Sequence, residues 1–213
     1  MTKYDFILWD WNGTLVDDLN QNFTVINNLL RKRGLSVLTK EKYRDIFKFP
    51  IIEFYRDAGF NVCGQDYENL VSDYQTEYSK QMDSIKLMPK AEEVLKKISG
   101  TTTNQLILSA STYRAILEQM ERYNISELFT SIISLSDAYA KGKLDLARRW
   151  LDSSGANPRR VLIIGDTLHD YEIATAMKLD CLLINNGHQD LFHVQSKYTC
   201  KCLTDILQVL DYI

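Results

Sequence analysis

The sequence predicts an α/β fold in which a parallel sheet carries helices on both faces and a helical segment is inserted after the first strand. Two observations predict this fold. From residue 89 onward, short continuous apolar runs alternate with amphipathic helical patterns, as they do in parallel sheets covered on both faces. Between about residues 17 and 87 the apolar spacing is helical, without a convincing strand.

The first strand is predicted at residues 6–9, where four apolar residues lead directly into Asp10, Asn12 and Gly13. An Asn-Gly pair after an apolar run is also a strong signal for a two-residue turn, so a β-hairpin is the alternative. A second acidic segment, at residues 165–170, also follows an apolar run. This second segment favours the parallel sheet, because α/β proteins place their chemistry at the carboxyl ends of strands.

The inserted segment is predicted to contain four helices, because its apolar residues recur at helical spacing. Thr39 is a candidate N-cap for the second helix, and Pro50 separates the second helix from the third. Gly34 and Gly59 are stop signals for the first and third helices. The apolar patterns cover residues 19–30, 43–47, 51–58 and 67–78.

The remainder of the chain alternates between strands and helices, which predicts a Rossmann-like parallel sheet. The predicted strands are residues 105–108, 131–135, 161–164 and 181–184. The predicted helices are residues 91–98, 116–123, 144–151, 171–177 and 206–210.

Composition argues against several classes of partner. Apolar residues make up 45% and charged residues 25% of the 213 residues, as in an ordinary globular protein. The formal net charge of −3, without a basic run, argues against binding to nucleic acid. Neither a basic-then-apolar leader nor a run of membrane-spanning length is present, so we expect a cytoplasmic protein. The spacing of Cys200 and Cys202 is poorly suited to a disulfide, and we expect reduced thiols.

Three carboxylates are predicted to meet at one edge of the sheet. Asp10, Asp166 and Asp170 each follow a predicted core strand, and the carboxyl ends of parallel strands share one crevice. Closely packed carboxylates repel one another and stay ionised only if a cation compensates them. Mg²⁺ suits such a set of oxygen ligands. The alternative for Asp166 and Asp170 is that they lie at the start of a helix and interact favourably with the helix dipole.

Two further residues are placed near the same crevice. Ser109 ends a predicted strand, and Lys143 lies on a loop or helix start that follows another strand. A hydroxyl and an ammonium group there could bind phosphate oxygens. Each residue alone has a simpler interpretation, as a loop hydroxyl and a solvated surface lysine. The combination is more specific than any one of these residues.

Over essentially its whole length the sequence resembles the haloacid dehalogenase-like hydrolase superfamily, in its phosphatase branch near the phosphoglycolate phosphatases. Residues 10–14 match the first motif of this family, Ser109 the second, Lys143 the third, and residues 165–170 the fourth. The resemblance implies a core domain of residues 1–16 and 88–213 and a helical cap domain of residues 17–87. It also implies a Mg²⁺-dependent phosphatase that acts on a small phosphorylated metabolite.

The resemblance further implies a role for each matching residue. Asp10 would be the nucleophile that forms an aspartyl-phosphate. Mg²⁺ would be held by Asp10, the Asn12 carbonyl and Asp166, with Asp170 supporting it directly or through water. Ser109 and Lys143 would bind the phosphoryl group, and Gly13 and Thr14 would shape the phosphate loop.

The sequence departs from the family at Asn12, where related phosphatases carry a second aspartate that serves as general acid and base. Asparagine cannot transfer a proton at useful pH, and general acid–base catalysis contributes about 10²–10⁴-fold. We therefore expect a slow phosphatase that loses most on alkyl phosphates and least on aryl or acyl phosphates. His169 or a group of the cap are alternative proton donors, and His188 is a weaker candidate.

Substrate choice is expected to depend on the cap, which closes over the crevice. Lys48, in an interhelix turn, is a candidate for binding a second anionic group, although a solvated lysine is the simpler interpretation. One alternative function is hydrolysis of a carbon–phosphorus bond, which would need a Schiff-base lysine such as Lys48. Carbon–halogen hydrolysis is disfavoured by the metal motif. A second alternative is a phosphate-binding regulator with little turnover, supported by Asn12 alone.

Overall fold

A six-stranded sheet organises the chain, in a computed structural model that describes residues 2–135, 142–191 and 201–213. The strand order is β5-β4-β1-β6-β7-β8, and every neighbouring pair is parallel. The strands are Phe6–Trp9 (β1), Asn104–Ser109 (β4), Ser131–Ser134 (β5), Val161–Gly165 (β6), Asp180–Ile184 (β7) and Lys201–Leu203 (β8). The predicted parallel sheet is therefore confirmed, and the β-hairpin alternative for the first strand is wrong.

Two apolar layers cover the sheet. One face packs against α5 (Ala91–Ser99), α6 (Tyr113–Tyr123) and a closing 3₁₀ helix, Ile206–Tyr212. The other face packs against α7 (Lys143–Ser154) and α8 (Leu168–Met177). Strand residues alternate between the two layers, as the two-residue period of a strand requires. Ile7 and Trp9 belong to the first layer and Leu8 to the second.

Four helices are inserted between β1 and β4: α1 (Leu19–Lys32), α2 (Lys40–Ile46), α3 (Ile51–Asp57) and α4 (Gly64–Ser79). We call these helices and their connections the insert. It has its own apolar cluster, which includes Leu29, Tyr43, Phe54 and Leu70. The Thr39 hydroxyl accepts a hydrogen bond from the Lys42 backbone N–H at 3.1 Å, so the predicted N-cap of α2 is present.

The expectation that residues 17–87 contain no strand is wrong at both ends of that segment. Val16–Asp17 (β2) and Lys86–Leu87 (β3) pair antiparallel where the chain leaves and re-enters the six-stranded sheet and its covering helices, which we call the sheet domain. Strands of two residues are too short to produce an alternating apolar pattern, so no sequence signal marks them. The division into a core domain and a cap domain at these boundaries stays a prediction.

Other expectations meet the structure in different ways. The closing helix predicted at residues 206–210 is present, as a 3₁₀ helix. The prediction for Cys200 and the Cys202 side chain lies outside the described residues. Among the described residues, the helices are too short or too polar to cross a membrane.

Candidate active site

The site lies where the strand order of the sheet reverses. From β1 the chain first adds β4 and β5 on one side and then β6, β7 and β8 on the other. The loops that follow β1 and β6 therefore diverge and leave a crevice between them, which is where open α/β sheets bind ligands. Asp10 follows β1 and Asp166 follows β6, and the Asp10 backbone N–H donates to the Ile164 carbonyl at 2.8 Å.

The three predicted carboxylates converge in this crevice. One oxygen from each of Asp10, Asp166 and Asp170 can be chosen so that all three lie within 4.8 Å of one another, and the group could hold a metal ion. Asp170 reaches the site from the first turn of α8, where its Oδ2 accepts hydrogen bonds from the Thr167 hydroxyl (2.8 Å) and backbone N–H (3.2 Å).

Lys143, at the first residue of α7, joins two of these acids. Its Nζ donates to Asp10 Oδ1 at 2.6 Å and to Asp170 Oδ1 at 2.5 Å, and the lysine side chain is only 6% exposed. Burial alone would lower the pKa of Lys143, but the two carboxylates outweigh burial and raise it. The interpretation of Lys143 as a solvated surface charge is therefore wrong.

The carboxylates differ in how well they are compensated. Burial raises the pKa of Asp170, but the neighbouring Lys143 ammonium outweighs this effect and lowers it. Burial dominates at Asp10 and raises its pKa, although Lys143 opposes this effect. At Asp166 burial raises the pKa well above its usual value. Within the described part of the chain, the hydrogen bonds to Asp166 come from the His188 backbone N–H and the Thr14 hydroxyl, and none comes from a lysine or arginine.

These residues fit a divalent cation. Asp166 is buried beside Asp10 and, within the described residues, accepts no hydrogen bond from a lysine or an arginine; both acids offer carboxylate oxygen, the donor that Mg²⁺ prefers. A divalent cation bound between Asp10 and Asp166 would offset the negative carboxylate charge that Lys143 alone does not neutralise. It would also lower the pKa of both acids.

The loop after β1 needs glycine at position 13. Gly13 has φ = +75°, and a Cβ there would lie 2.3 Å from Asp166 Oδ2. Next to it, the Thr14 hydroxyl donates to Asp166 Oδ1 at 3.2 Å and approaches Asp10 Oδ2 at 3.5 Å. The loop therefore packs directly against the acidic group, and the role of Gly13 and Thr14 in a phosphate loop stays a prediction.

Asn12 and Ser109 also lie at the crevice. The Ser109 Oγ accepts a hydrogen bond from the Ser111 backbone N–H at 3.1 Å, and Ser109 is buried. The Ser111 hydroxyl donates to Asn12 Oδ1 at 2.7 Å. The Asn12 amide nitrogen donates to Asp18 Oδ2 at 2.7 Å and approaches the Tyr78 hydroxyl at 3.1 Å. The Asn12 side chain is thus fixed between the sheet domain and the insert.

Asp18 is a site residue that sequence reasoning missed. It is completely buried at the N-terminus of α1, and its two oxygens accept five hydrogen bonds. The donors are Asn12 Nδ2 (2.7 Å), Asn22 Nδ2 (2.7 Å), the Tyr78 hydroxyl (2.8 Å), the Gly13 N–H (3.0 Å) and His188 Nε2 (3.0 Å). Burial would raise the pKa of Asp18, but the charge of His188 and these donors lower it. An acid directly before a helix start was the available signal, and it resembles an ordinary N-cap.

His188, the weaker of the two histidine candidates for proton transfer, is buried in the lining of the crevice, and its role stays a prediction. It follows β7, packs against the Phe47 ring with centroids 4.9 Å apart, and bonds the Tyr43 hydroxyl through Nδ1 at 3.1 Å. Burial would lower the pKa of His188, but the Asp18 carboxylate outweighs burial and raises it to about 9. His169 lies nearer the mouth and stacks on Phe49 with centroids 5.0 Å apart.

Lys48 is not brought together with the other predicted site residues. Its Nζ forms an ion pair with Asp57 at 2.5 Å, and its side chain is 44% exposed. Lys48 is also absent from the described residues that line the cavity over the carboxylates. The expectation that Lys48 binds substrate therefore has no support in this arrangement.

A cavity of about 460 Å³ lies between the insert and the carboxyl edge of the sheet. The sheet domain supplies polar and charged lining residues, among them Asp10, Ser109, Lys143 and Asp166. The insert supplies mainly aromatic and aliphatic side chains. The cavity is large enough for a small organic molecule and connects the carboxylates with the insert.

Comparison with known proteins identifies the family of this arrangement. A family model described as haloacid dehalogenase-like hydrolase matches residues 7–184. A haloacid dehalogenase-like family hydrolase from Streptococcus pneumoniae is 21% identical, with a TM-score of 0.85 and coverage of 100% of this chain and 99% of that chain. A predicted phosphoglycolate phosphatase from Haemophilus somnus is 17% identical, with a TM-score of 0.79 and coverage of 99% and 98%.

A predicted phosphatase from Clostridium acetobutylicum is 16% identical, with a TM-score of 0.80 and coverage of 99% and 98%. No curated protein matches the chain significantly by sequence. At these identities the solved structures show that the fold is shared along the whole chain.

Proposed function

The chain belongs to the haloacid dehalogenase-like hydrolase family, and on this premise we propose that it is a Mg²⁺-dependent phosphatase of a small phosphomonoester. The single observation that supports this function best is the partly buried Asp10 carboxylate, held by Lys143 beside Asp166 and Asp170. A carboxylate can attack phosphorus only if repulsion from the phosphate oxygens is offset. This crevice has one buried lysine and a group of acids that fits a metal ion.

Asp10 forms the covalent intermediate in the proposed mechanism. One carboxylate oxygen of Asp10 attacks phosphorus, and the bond between phosphorus and the leaving oxygen breaks. The leaving oxygen departs with the bonding electron pair as an anion and takes a proton from water. Lys143 keeps Asp10 oriented and neutralises charge on the phosphoryl oxygens, and Ser109 offers a hydroxyl to them. When bound at Asp10, Asp166 and the Asn12 carbonyl, Mg²⁺ would withdraw negative charge from the transferring phosphoryl group.

Water completes the cycle by attacking phosphorus of the aspartyl-phosphate, and the bond from phosphorus to the Asp10 oxygen breaks. Inorganic phosphate is released, the proton of the attacking water passes to solvent, and the Asp10 carboxylate is restored. Asn12 can orient the leaving oxygen or the water by a hydrogen bond, but it does not supply or accept a proton. Both steps are therefore slower than they would be with a carboxylic acid at position 12.

Cleavage of a carbon–phosphorus bond through a Schiff base is not favoured by the arrangement. Among the described residues that line the cavity, Lys143 is the only lysine, and it is held between two carboxylates. An ammonium group stabilised in this way is a poor nucleophile toward a carbonyl group. Lys48, the other candidate, lies outside the cavity lining.

Phosphate release tests the proposed function. Acetyl, phenyl and alkyl phosphates are incubated with the protein in Mg²⁺ or in EDTA. We expect turnover that requires Mg²⁺ and disappears in Asp10→Asn. Asp152→Asn is the matched control, because Asp152 is exposed on α7 away from the crevice. Turnover that is equal in EDTA, or unchanged in Asp10→Asn, would contradict the proposal. Absence of turnover on every phosphate would favour the regulatory alternative.

A further inference from the structure

The insert side of the cavity is an aromatic wall. Eight aromatic side chains of the insert line the cavity. Tyr74 and Tyr78 stack with ring centroids 5.7 Å apart, and Phe47 stacks on His188. Phe49 is 37% exposed, an unusually large exposure for a phenylalanine, and it lies against His169 at the cavity mouth. An exposed aromatic ring at the mouth of an apolar cavity is typical of a surface that contacts a ligand.

Three of the five tyrosine hydroxyls in this wall are already hydrogen-bonded. The Tyr78 hydroxyl donates to Asp18, the Tyr74 hydroxyl donates to Asn22, and the Tyr43 hydroxyl bonds His188. These hydroxyls bond residues of the site, so the wall offers a ligand mainly ring surface.

The insert also supplies no cation to the cavity. Among the described lining residues, none from the insert is a lysine or an arginine. The Arg44 guanidinium instead donates to the carbonyls of Asn185, Gly187 and Gln189 at 3.1–3.3 Å. Lys48 is paired with Asp57. His188, a further cationic residue of the lining, already has both ring nitrogens bonded to Tyr43 and Asp18. A leaving group that carries a carboxylate or a second phosphate would therefore lose its hydration without gaining an unpaired cation from the described lining residues.

The chemistry at Asn12 independently favours an aromatic leaving group. Without a proton donor at position 12, the leaving oxygen departs as an anion. The phenolate of an aromatic alcohol is a much more stable anion than an alkoxide. Recognition by the wall and the chemistry at Asn12 thus favour one substrate class.

We propose that the physiological substrate is an aryl phosphate, the phosphate monoester of an aromatic alcohol without an anionic substituent near the ring. This inference rests on the proposed phosphatase function. The ring lies against the aromatic wall of the insert, and phosphorus lies over Asp10. The bond between phosphorus and the phenolic oxygen breaks as Asp10 bonds phosphorus. The phenolate leaves with the electron pair and takes a proton from water.

Binding of phosphonates separates recognition of the ring from leaving-group chemistry. Phenylphosphonate, methylphosphonate and phosphonoacetate cannot be hydrolysed at the phosphorus–carbon bond by this mechanism, and each is used to inhibit acetyl phosphate turnover. We expect phenylphosphonate to bind about tenfold more tightly than methylphosphonate, which is the size of one aromatic contact. Phosphonoacetate, which carries a carboxylate, should bind no more tightly than methylphosphonate.

The outcomes distinguish this inference from the proposed function. Equal inhibition by all three phosphonates, or strongest inhibition by phosphonoacetate, would overturn the aryl class while Asp10-dependent acetyl phosphate turnover still supports a phosphatase. Failure to hydrolyse acetyl phosphate would overturn both.

Two variants test whether the aromatic ring of the substrate binds against Phe49. Phe49→Ala should lower the ratio of kcat/KM for phenyl phosphate over acetyl phosphate by about threefold to tenfold, because only phenyl phosphate reaches the wall. Val37→Ala is the matched control, since Val37 is an exposed apolar residue of the insert outside the cavity lining. Its ratio should stay at the wild-type value. An unchanged ratio in Phe49→Ala would contradict this placement of the ring.

Discussion

Asn12 has both ends of its amide engaged, and this explains how the site tolerates asparagine there. Its oxygen accepts from Ser111, and its nitrogen donates to Asp18 and lies near Tyr78. The Asp18 carboxylate only accepts hydrogen bonds, because its pKa is lowered and the group stays ionised. An amide at position 12 therefore complements Asp18, and a carboxylate there would repel it.

The substitution Asn12→Asp tests the cost of asparagine at this position. The introduced carboxyl group would face Asp18, and two carboxylates in contact share a proton, which the group at position 12 could then give to the leaving oxygen. We expect kcat/KM on an alkyl phosphate to rise by about 10²-fold or more, while aryl phosphate turnover changes little. Steady-state kinetics on both esters measure this difference.

Two controls accompany this experiment. The first control is peptide mass spectrometry, which tests whether position 12 of the wild-type protein is unmodified, because an Asn-Gly pair is prone to deamidation. Asp152→Asn is prepared in parallel as a variant remote from the crevice. A gain of the same size on both esters, or no gain on the alkyl ester, would show that proton transfer is not what limits the wild-type protein.

The pair of Asp18 and His188 is predicted to stabilise the fold in a pH-dependent way. His188 has a folded-state pKa of about 9 against an ordinary value of 6.5, so its stabilisation is complete below 6.5 and is lost as pH rises through about 9. Asp18 has a lowered pKa, so its stabilisation is present above the ordinary value of 3.8 and is lost as pH falls through its folded pKa.

We expect His188→Gln to lower the free energy of unfolding by about 3–5 kcal/mol near neutral pH, because it leaves Asp18 buried without its charged partner. Denaturant unfolding in EDTA at several pH values measures the difference from wild type. The difference should shrink as pH rises through about 9. His169→Gln is the control, because its acidic neighbour Glu172 is solvent-exposed. A difference that stays constant with pH would contradict the ion pair.

At the scale of elements, α2 is a part of the insert that docks on the sheet domain through hydrogen bonds to one loop. Arg44 on α2 donates to three backbone carbonyls of the loop that follows β7. In return, Gln189 of that loop donates to the Phe47 carbonyl at 3.0 Å. These bonds join two elements whose contact closes the cavity over Asp10.

Arg44→Ala should weaken this docking, since each lost bond involves a charged donor. We expect kcat/KM for phenyl phosphate to fall by about tenfold and amide hydrogen exchange to increase across residues 185–191. Arg44→Lys should give an intermediate result, because lysine cannot span the carbonyls with a planar fork. Arg31→Ala, at an exposed position on α1, is the control. Unchanged exchange in Arg44→Ala would show that α2 is held by its apolar contacts alone.

The sequence predicted elements where one local pattern sufficed. Strands such as residues 161–164 are continuous apolar runs, and the N-cap at Thr39 is recognisable from one hydroxyl before a helix. It did not predict β2 and β3, whose two residues each pair only because the insert returns to its starting point. Nor did it show that Asp18 and His188, 170 positions apart, form one ion pair. Contacts of this kind are set by the tertiary fold.

At the scale of the whole molecule, the sheet domain and the insert contribute different properties to one cavity. The carboxyl edge of the sheet supplies the acids and Lys143, which suit attack on phosphorus. The insert supplies aromatic surface and no cation among its described lining residues. The family relationship accounts for the first contribution. The second belongs to the insert of this chain, and it is the source of the proposed substrate class.

The most direct test of this account is to detect a phosphoryl group on Asp10. The protein is mixed with acetyl phosphate and Mg²⁺, quenched in acid within the first turnovers, and measured by intact and peptide mass spectrometry. We expect the mass of one phosphoryl group on the peptide that contains Asp10, absent from Asp10→Asn and retained in Asp152→Asn. Phosphate release by wild-type protein without any phosphoryl group on Asp10, or with the group on another residue, would contradict the central claim.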